Sequence, residues 1–295
     1  MKKKTAKQRG TALSMGFFQW MITLFGLRGA YLFLHPVCLH YLLFDRQAVH
    51  SALAYIRRRF PGEGFLKQRF RVWRLFISQG RQLIDRYAAL SGKVAFTYEI
   101  TGAEKALAQI KAADKGIILL TSHVGNWQLA MSALGKLEKT VYLVMLPEQN
   151  EAVKRTLKMR EERDRIKFIS SDGHVGGVVD IMNALRQGDM VSIMGDRSEG
   201  FESMPARFLG DQASFPYGAF QIAATAGCPV LFLFASKTGL KNYHVDLSHS
   251  MTPLFTGRKD RRANLADWVQ NYADILTDYC QQYPMQCFLF QDIWR

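Results

Sequence analysis

The sequence predicts an α/β fold, with a largely parallel central sheet flanked by helices and an N-terminal membrane-associated helical segment before it. Three observations predict it. Short β-branched runs alternate with helix-length patterns throughout residues 94–295, as in sheets whose strands are joined by crossover helices. Two apolar stretches fill Gly10–Phe44. The charge is also lopsided. Of the net +14, residues 1–100 supply 17 Lys/Arg against four acids, whereas residues 101–295 hold 22 against 21.

The basic excess therefore flanks apolar sequence, and the body is nearly neutral. That arrangement suits an anionic membrane surface or an acidic carrier protein, and it argues against a nucleic-acid partner, which is met by charge spread over a working face. A chain of 295 residues, 48% apolar and 22% charged, can bury a real core and is not disordered. Its four cysteines form no CxxC pair, which removes zinc-ribbon, iron–sulfur and disulfide-scaffold readings and makes a reducing compartment the default.

Residues 1–45 read as a basic N-terminus and apolar anchor. Five basic residues precede Gly10–Leu27, which carries no formal charge; Arg28 interrupts, and Gly29–Phe44 is again free of Lys, Arg, Asp and Glu. A signal peptide is disfavoured, because apolar character returns after Arg28 and no small-x-small site closes the first run. A spanning helix needs about 20 apolar residues, so one span or an interfacial hairpin is expected, with the N-terminus on the cytoplasmic side. A buried hairpin of a soluble protein is the alternative. Residues 46–93 form a basic amphipathic region. From Arg57 to Arg81 eight basic residues face Glu63 alone, and Phe65, Phe70, Trp73, Phe76 and Ile77 recur at helical spacing. Such a helix either lies among headgroups or packs its aromatics on the core.

Residues 94–295 form the α/β domain. Its strands are expected at Val94–Ile100, Gly116–Ser122, Thr140–Leu146, Ile166–Ser170, Asp189–Gly195, Pro229–Ala235 and Asn242–Ser248. Helices are expected at Ala103–Ala112, Asn126–Lys136, Glu151–Arg163, Val175–Gln187, Tyr217–Ala226 and Ala263–Gln282. Neither GxGxxG after the first strand nor GxxxxGK[ST] occurs, so dinucleotide and P-loop readings lack support.

The informative segment is Ile117-Ile-Leu-Leu-Thr-Ser-His-Val-Gly-Asn-Trp-Gln-Leu-Ala130. A buried strand ends at Ser122, His123 stands at its carboxyl end, and Asn126 caps the next helix. Ligands of open α/β sheets bind outside the carboxyl ends of strands, and imidazole suits proton transfer near neutrality. Ser122 is no serine-hydrolase nucleophile, since no G-x-S-x-G elbow exists. His244 and His249 reflect strand alternation rather than a metal site, and Trp127 reads as a packing anchor.

His-x-Gly-Asn-Trp after a strand resembles the lysophospholipid acyltransferase superfamily, and within it the lipid A biosynthesis (late) acyltransferase branch. The family pattern is His, four residues, then an acid. Composition alone yields about 0.6 such matches, and one decoy exists, His40-Tyr-Leu-Leu-Phe-Asp45, away from any strand end. The continuation makes the match specific. Arg160, the strand and loop Met190–Gly200 with Asp196, Arg197 and Glu199, then Arg207-Phe-Leu-Gly210, Pro216-Tyr-Gly218 and Gly227-Cys-Pro-Val230 follow in the family's order.

The resemblance implies a membrane-bound acyltransferase at the cytoplasmic face of a bacterial inner membrane. Its donor would be an acyl carrier protein or acyl-CoA thioester, and its acceptor a hydroxyl of a lipid A-like, lysophospholipid-like or pigment-lipid molecule. His123, Gln128 and Asp196 are the implied catalytic residues. Arg160, Arg197, Asn126, Gly125 and Glu199 are the implied substrate-binding residues, with neither metal nor other cofactor. Two departures stand out. Gln128 occupies the family's acid position, and the tail carries Cys287 and Gln291-Asp292 where the family shows Trp and basic residues. An amide orients an imidazole but does not stabilise imidazolium, and the comparable Asp→Asn change in serine proteases costs about 10⁴ in rate. Asp196 or Glu199 supplies the missing charge, or Gln128 suffices, or the chain is a silent scaffold that binds acyl lipid or carrier protein.

Overall fold

The computed structural model describes residues 12–134, 139–145, 166–171, 176–198 and 201–294. Three helices open the chain. They are α1 (Ala12–Phe44), α2 (Arg46–Arg59) and α3 (Phe65–Leu90). The body follows as β1 (Thr97–Thr101), α4 (Ala103–Ala112), β2 (Ile117–Thr121), α5 (Trp127–Leu134), β3 (Val141–Met145), β4 (Ile166–Ser170), α6 (Gly176–Arg186) and β5 (Met190–Met194). The hairpin β6 (Ser203–Phe208) and β7 (Asp211–Pro216) precedes α7 (Gly218–Ala226), β8 (Val230–Phe232), β9 (Phe234–Lys237), β10 (Asn242–Asp246), β11 (Ser250–Met251) and α8 (Arg261–Gln282).

The α/β class holds, but the sheet structure is mixed, which corrects the expectation of a largely parallel sheet. A six-stranded sheet runs β11-β8-β2-β5-β3-β4. Its β8–β2, β2–β5, β5–β3 and β3–β4 pairs are parallel, and β11 is antiparallel to β8. A three-stranded sheet, β1-β10-β9, pairs β1 parallel and β9 antiparallel to β10. The second correction lies at Pro229–Ala235, expected as one strand. The chain leaves the large sheet after Phe232 and enters the small one at Phe234. At the crossing, Leu233 N–H donates to Leu120 O at 2.9 Å, so the backbone stays satisfied through the switch.

The large sheet is covered on both faces. Along β2, Ile118 and Leu120 join the core under α6, α7 and α8, while Ile117 and Leu119 join a second core with Ala106, Ile110 and Met131 of α4 and α5. The five β2 residues are all buried, as expected of a strand that reads as a continuous apolar run between two helical layers.

The helix α1 is interrupted at Gly26, two residues before the charge at Arg28. Gly26 has φ 65° and ψ −172°, which breaks the helix into two segments. Beyond the break, Leu27, Ala30, Tyr31, Leu34 and Cys38 are buried, a stripe at helical spacing that packs on α3. The opposite side exposes Leu24, Leu32, Leu39, Leu43 and Phe44. Trp20–Phe44 is long and apolar enough to cross a membrane. The aromatic stripe of α3 divides. Phe65 and Phe70 are exposed, whereas Phe76 and Ile77 are buried, and Trp73 stacks edge-on against His35 of α1.

Candidate active site

His123 and Asp196 are brought together by the pairing of two neighbouring strands. β2 and β5 are parallel, and their last paired residues are Thr121 and Met194. Two residues past each strand end stand His123 and Asp196, so the same register that buries the strands sets these two side by side. Gly195 N–H donates to Thr121 O at 2.9 Å and carries the pairing one step further. His123 Nδ1 lies 3.0 Å from Asp196 Oδ1, and Asp196 Oδ2 accepts the His123 backbone N–H at 2.8 Å. The Asp196 side chain is fully buried, whereas the imidazole is 30% exposed, which leaves its outer edge within reach of a substrate.

Burial by itself raises the carboxyl pKa of Asp196. The facing imidazole, its hydrogen bond, the nearby Arg197 guanidinium and the His123 N–H outweigh that and hold it below the usual carboxylate range. An ionised carboxylate only accepts hydrogen bonds. Nδ1 therefore carries the proton, and the Nε2 lone pair is available as a base.

The loop that presents His123 is tied down on three sides. Gly125 N–H donates to Gln286 O at 2.7 Å, and Asn126 N–H donates to Ala235 O at 2.8 Å. Gly125 has φ +60°, and a Cβ there would lie 1.5 Å from Ala235 O, so only glycine fits. The Asn126 amide donates to Gln82 O at 3.0 Å, and its Oδ1 accepts the Leu129 N–H at 3.4 Å at the start of α5. The expected cap is thus present, and it doubles as a tie to α3. The C-terminal tail closes the third side. Phe288 N–H donates to His123 O at 2.8 Å, and Arg197 Nη2 donates to Phe288 O. Arg197 thereby ties the tail to the loop that carries Asp196.

Gln128 is the second residue of α5, and its Oε1 accepts a hydrogen bond from Arg86 Nη1 of α3. Arg160 and Glu199 lie outside the described residues, as does the helix expected at Glu151–Arg163. The decoy Asp45 has a local duty, since its Oδ1 caps α2 through the Ala48 N–H at 2.9 Å. His244 Nε2 lies 2.7 Å from Thr101 Oγ1. Among the described residues no group of three His, Cys, Asp or Glu side chains is placed to hold a metal.

Sequence reasoning missed a buried cluster one step behind the loop. Asp85 of α3 is fully buried and accepts from Lys237 Nζ at 2.6 Å and from the hydroxyls of Tyr31 and Tyr243. Asn126 Nδ2 is 3.5 Å from the Tyr243 hydroxyl, which links the cluster to the loop that presents His123. Burial lowers the Lys237 pKa, and the Asp85 charge works against that. The available signal was an acid on the apolar stripe of α3 beside Ile84 and Ala88.

No curated protein matches the chain. A family model described as bacterial lipid A biosynthesis acyltransferase matches residues 82–295, well over half of the length, including the paired strands, His123, Asp196 and the tail that closes over them. The chain belongs to the bacterial lipid A biosynthesis acyltransferase family.

Proposed function

We propose that the protein is an O-acyltransferase of the cytoplasmic face of a bacterial inner membrane. It moves a fatty acyl group from an acyl carrier protein or CoA thioester to a hydroxyl of a lipid A-like, lysophospholipid-like or pigment-lipid acceptor. The observation that carries this reading is the His123–Asp196 pair, with a buried carboxylate on Nδ1 and an exposed imidazole edge.

An alcohol is a poor nucleophile until its proton is removed. Nε2 of His123 takes the hydroxyl proton as the alcohol oxygen attacks the thioester carbonyl, and Asp196 stabilises the imidazolium that forms. The C–S bond then breaks, the imidazolium returns its proton to the departing thiolate, and the ester and free thiol leave. The tetrahedral oxyanion needs a donor, a service worth about 3–4 kcal/mol per hydrogen bond elsewhere. Arg160 is the residue proposed for it, from its place in the family pattern. Arg197 holds the tail against the site, and Gly125 and Asn126 keep the loop in the conformation that aims the imidazole. The exposed apolar side of α1 supports a membrane seat, where both long-chain substrates reside.

The test is acyl transfer by the purified full-length protein from a labelled acyl carrier thioester to extracted membrane lipids. Label should appear in an ester of the lipid fraction, and His123→Ala should abolish it. Equal transfer by His123→Ala at equal protein would overturn the proposal.

A further inference from the structure

His123 lies in a stretch of chain outside the sheet strands, held between two main-chain neighbours. On one side Gly125 forms a parallel bridge with Ala235 of β9, and Asn126 N–H donates to Ala235 O at 2.8 Å. On the other side Val124 forms an antiparallel bridge with Cys287 of the tail. Two bonds flank that bridge, Gly125 N–H to Gln286 O at 2.7 Å and Phe288 N–H to His123 O at 2.8 Å. β9 is an edge strand secured by β10. The tail residues 286–288 belong to no strand, so a side chain has to fix their register.

Gln286 supplies it. Its Oε1 accepts the Lys237 N–H at 2.8 Å, and its Nε2 donates to Lys237 O at 2.9 Å. The amide thus copies the pair of bonds that a neighbouring strand makes with one residue, on the free edge of β9 two residues beyond Ala235. Oε1 also accepts from Gln82 Nε2 of α3 at 2.8 Å, and Gln82 O accepts the Asn126 amide at 3.0 Å. Lys237 is itself fixed through Nζ, which donates to the buried Asp85 at 2.6 Å. One residue therefore joins the tail to β9 and α3 while its own carbonyl holds Gly125. The pattern asks for an acceptor and a donor on one group. Glutamate only accepts and would set an oxygen against Lys237 O, and methionine of similar length would leave these bonds unmade.

We infer that Gln286 is a positioning residue for His123. Its bonds go to the backbone around the loop and not to the imidazole. By stapling the tail to β9 it keeps the loop between them from shifting, and so keeps Nδ1 at 3.0 Å from Asp196 Oδ1. Displacing a reacting group by about 1 Å costs about a hundredfold in rate. The inference rests on the reading of His123 as the base; the restraint of the loop by Gln286 is measurable without any turnover.

The experiment compares the full-length wild type with Gln286→Met and Gln286→Glu, and uses Asp45→Ala as a control that loosens α2 instead. Backbone hydrogen exchange is followed first. Gln286→Met should speed exchange of the His123–Asn126 and tail peptides at least about tenfold and leave α4 unchanged. Gln286→Glu, which keeps the acceptor, should act in the same direction to a smaller extent, and it carries the test where Gln286→Met is unfolded. In the transfer assay Gln286→Met should lower kcat at least about tenfold with KM changed less than about threefold, while Asp45→Ala leaves both unchanged. In an Asp196→Asn background the same change should cost less than about threefold, because the contact it protects is already lost. Unchanged exchange in the loop would overturn the restraint, whether or not the protein transfers acyl groups. Wild-type kcat in Gln286→Met, or an equal loss in both backgrounds, would overturn the positioning role. A wild type without transfer would strike the reading of His123 as the base, a result distinct from either.

Discussion

Asp196→Asn is the change that most directly probes the proposed role of the His123–Asp196 pair. The carboxylate makes three contacts with one residue. Oδ2 accepts the His123 backbone N–H at 2.8 Å and lies 3.1 Å from Nδ1, and Oδ1 lies 3.0 Å from Nδ1. An amide keeps one oxygen and replaces the other with an NH₂. With its oxygen on the backbone N–H, the NH₂ faces Nδ1 and favours the tautomer whose ring proton sits on Nε2, the atom that has to be a free base in the proposed reaction. The variant also loses the negative charge beside the imidazolium. The comparable change in serine proteases costs about 10⁴ in rate, or about 5.5 kcal/mol in the barrier. Asp196 is as buried as such a residue can be, so we expect a loss of about 10³–10⁴ in kcat with little change in KM. The assay is thioester-dependent acyl transfer, with a thermal melt to show that the variant is folded. A rate within tenfold of the wild type at equal folded protein would refute the reasoning.

Four further outcomes are expected. Gln128→Glu should change the transfer rate by less than about tenfold, since Asp196 already places a carboxylate beside the imidazole and the new carboxylate would pair with Arg86; a hundredfold gain would show that position 128 carries the charge. Asp45→Asn should leave transfer unchanged and Asp45→Ala should cost about 1 kcal/mol in a denaturant melt, because Asp45 is the α2 cap. Lys237→Met should cost about 3 kcal/mol in the same melt by leaving Asp85 buried without its cation, held only by the Tyr31 and Tyr243 hydroxyls. Acidification should also destabilise the fold through Asp196. Its folded pKa is depressed, so its contribution is complete above the unfolded value of about 4 and is lost as pH falls through the lower, folded one; Asp196→Asn should flatten that part of the stability–pH curve.

Much of this architecture is legible in the residues because it follows from local patterning. The run Ile117–Thr121 is apolar at every position, and a strand buried on both faces requires that. Placing His123 at its end needed only the strand boundary. The readings that fell short depend on what lies across the fold. Pro229–Ala235 reads as one strand by composition, and the division at Leu233 comes from the Leu120 carbonyl, which claims that N–H for the large sheet. The α3 aromatics share one helical stripe, yet Phe76 meets Phe290 of the tail while Phe65 is left exposed. The hairpin at Ser203–Pro216 alternates buried and exposed residues along its first strand, a pattern overlooked beside the longer apolar runs.

The partner of His123 was the hardest part to read, for a physical reason. A motif of His, four residues and an acid directs attention along the chain, to position 128. The carboxylate that meets the imidazole is 73 residues away in sequence, and only the adjacency of β2 and β5 makes it a neighbour. A chain that reads Ile-Leu-Leu-Thr-Ser-His does not say which strand will lie beside it. Once β5 does, Thr121 opposite Met194 fixes His123 opposite Asp196 without any further choice. Position 128 then has a different neighbour, the Arg86 guanidinium of α3, and an amide oxygen is enough to accept from it. Gln128 in the acid position is therefore compatible with an imidazole oriented by a carboxylate, because in this fold that carboxylate comes from the loop after the adjacent strand.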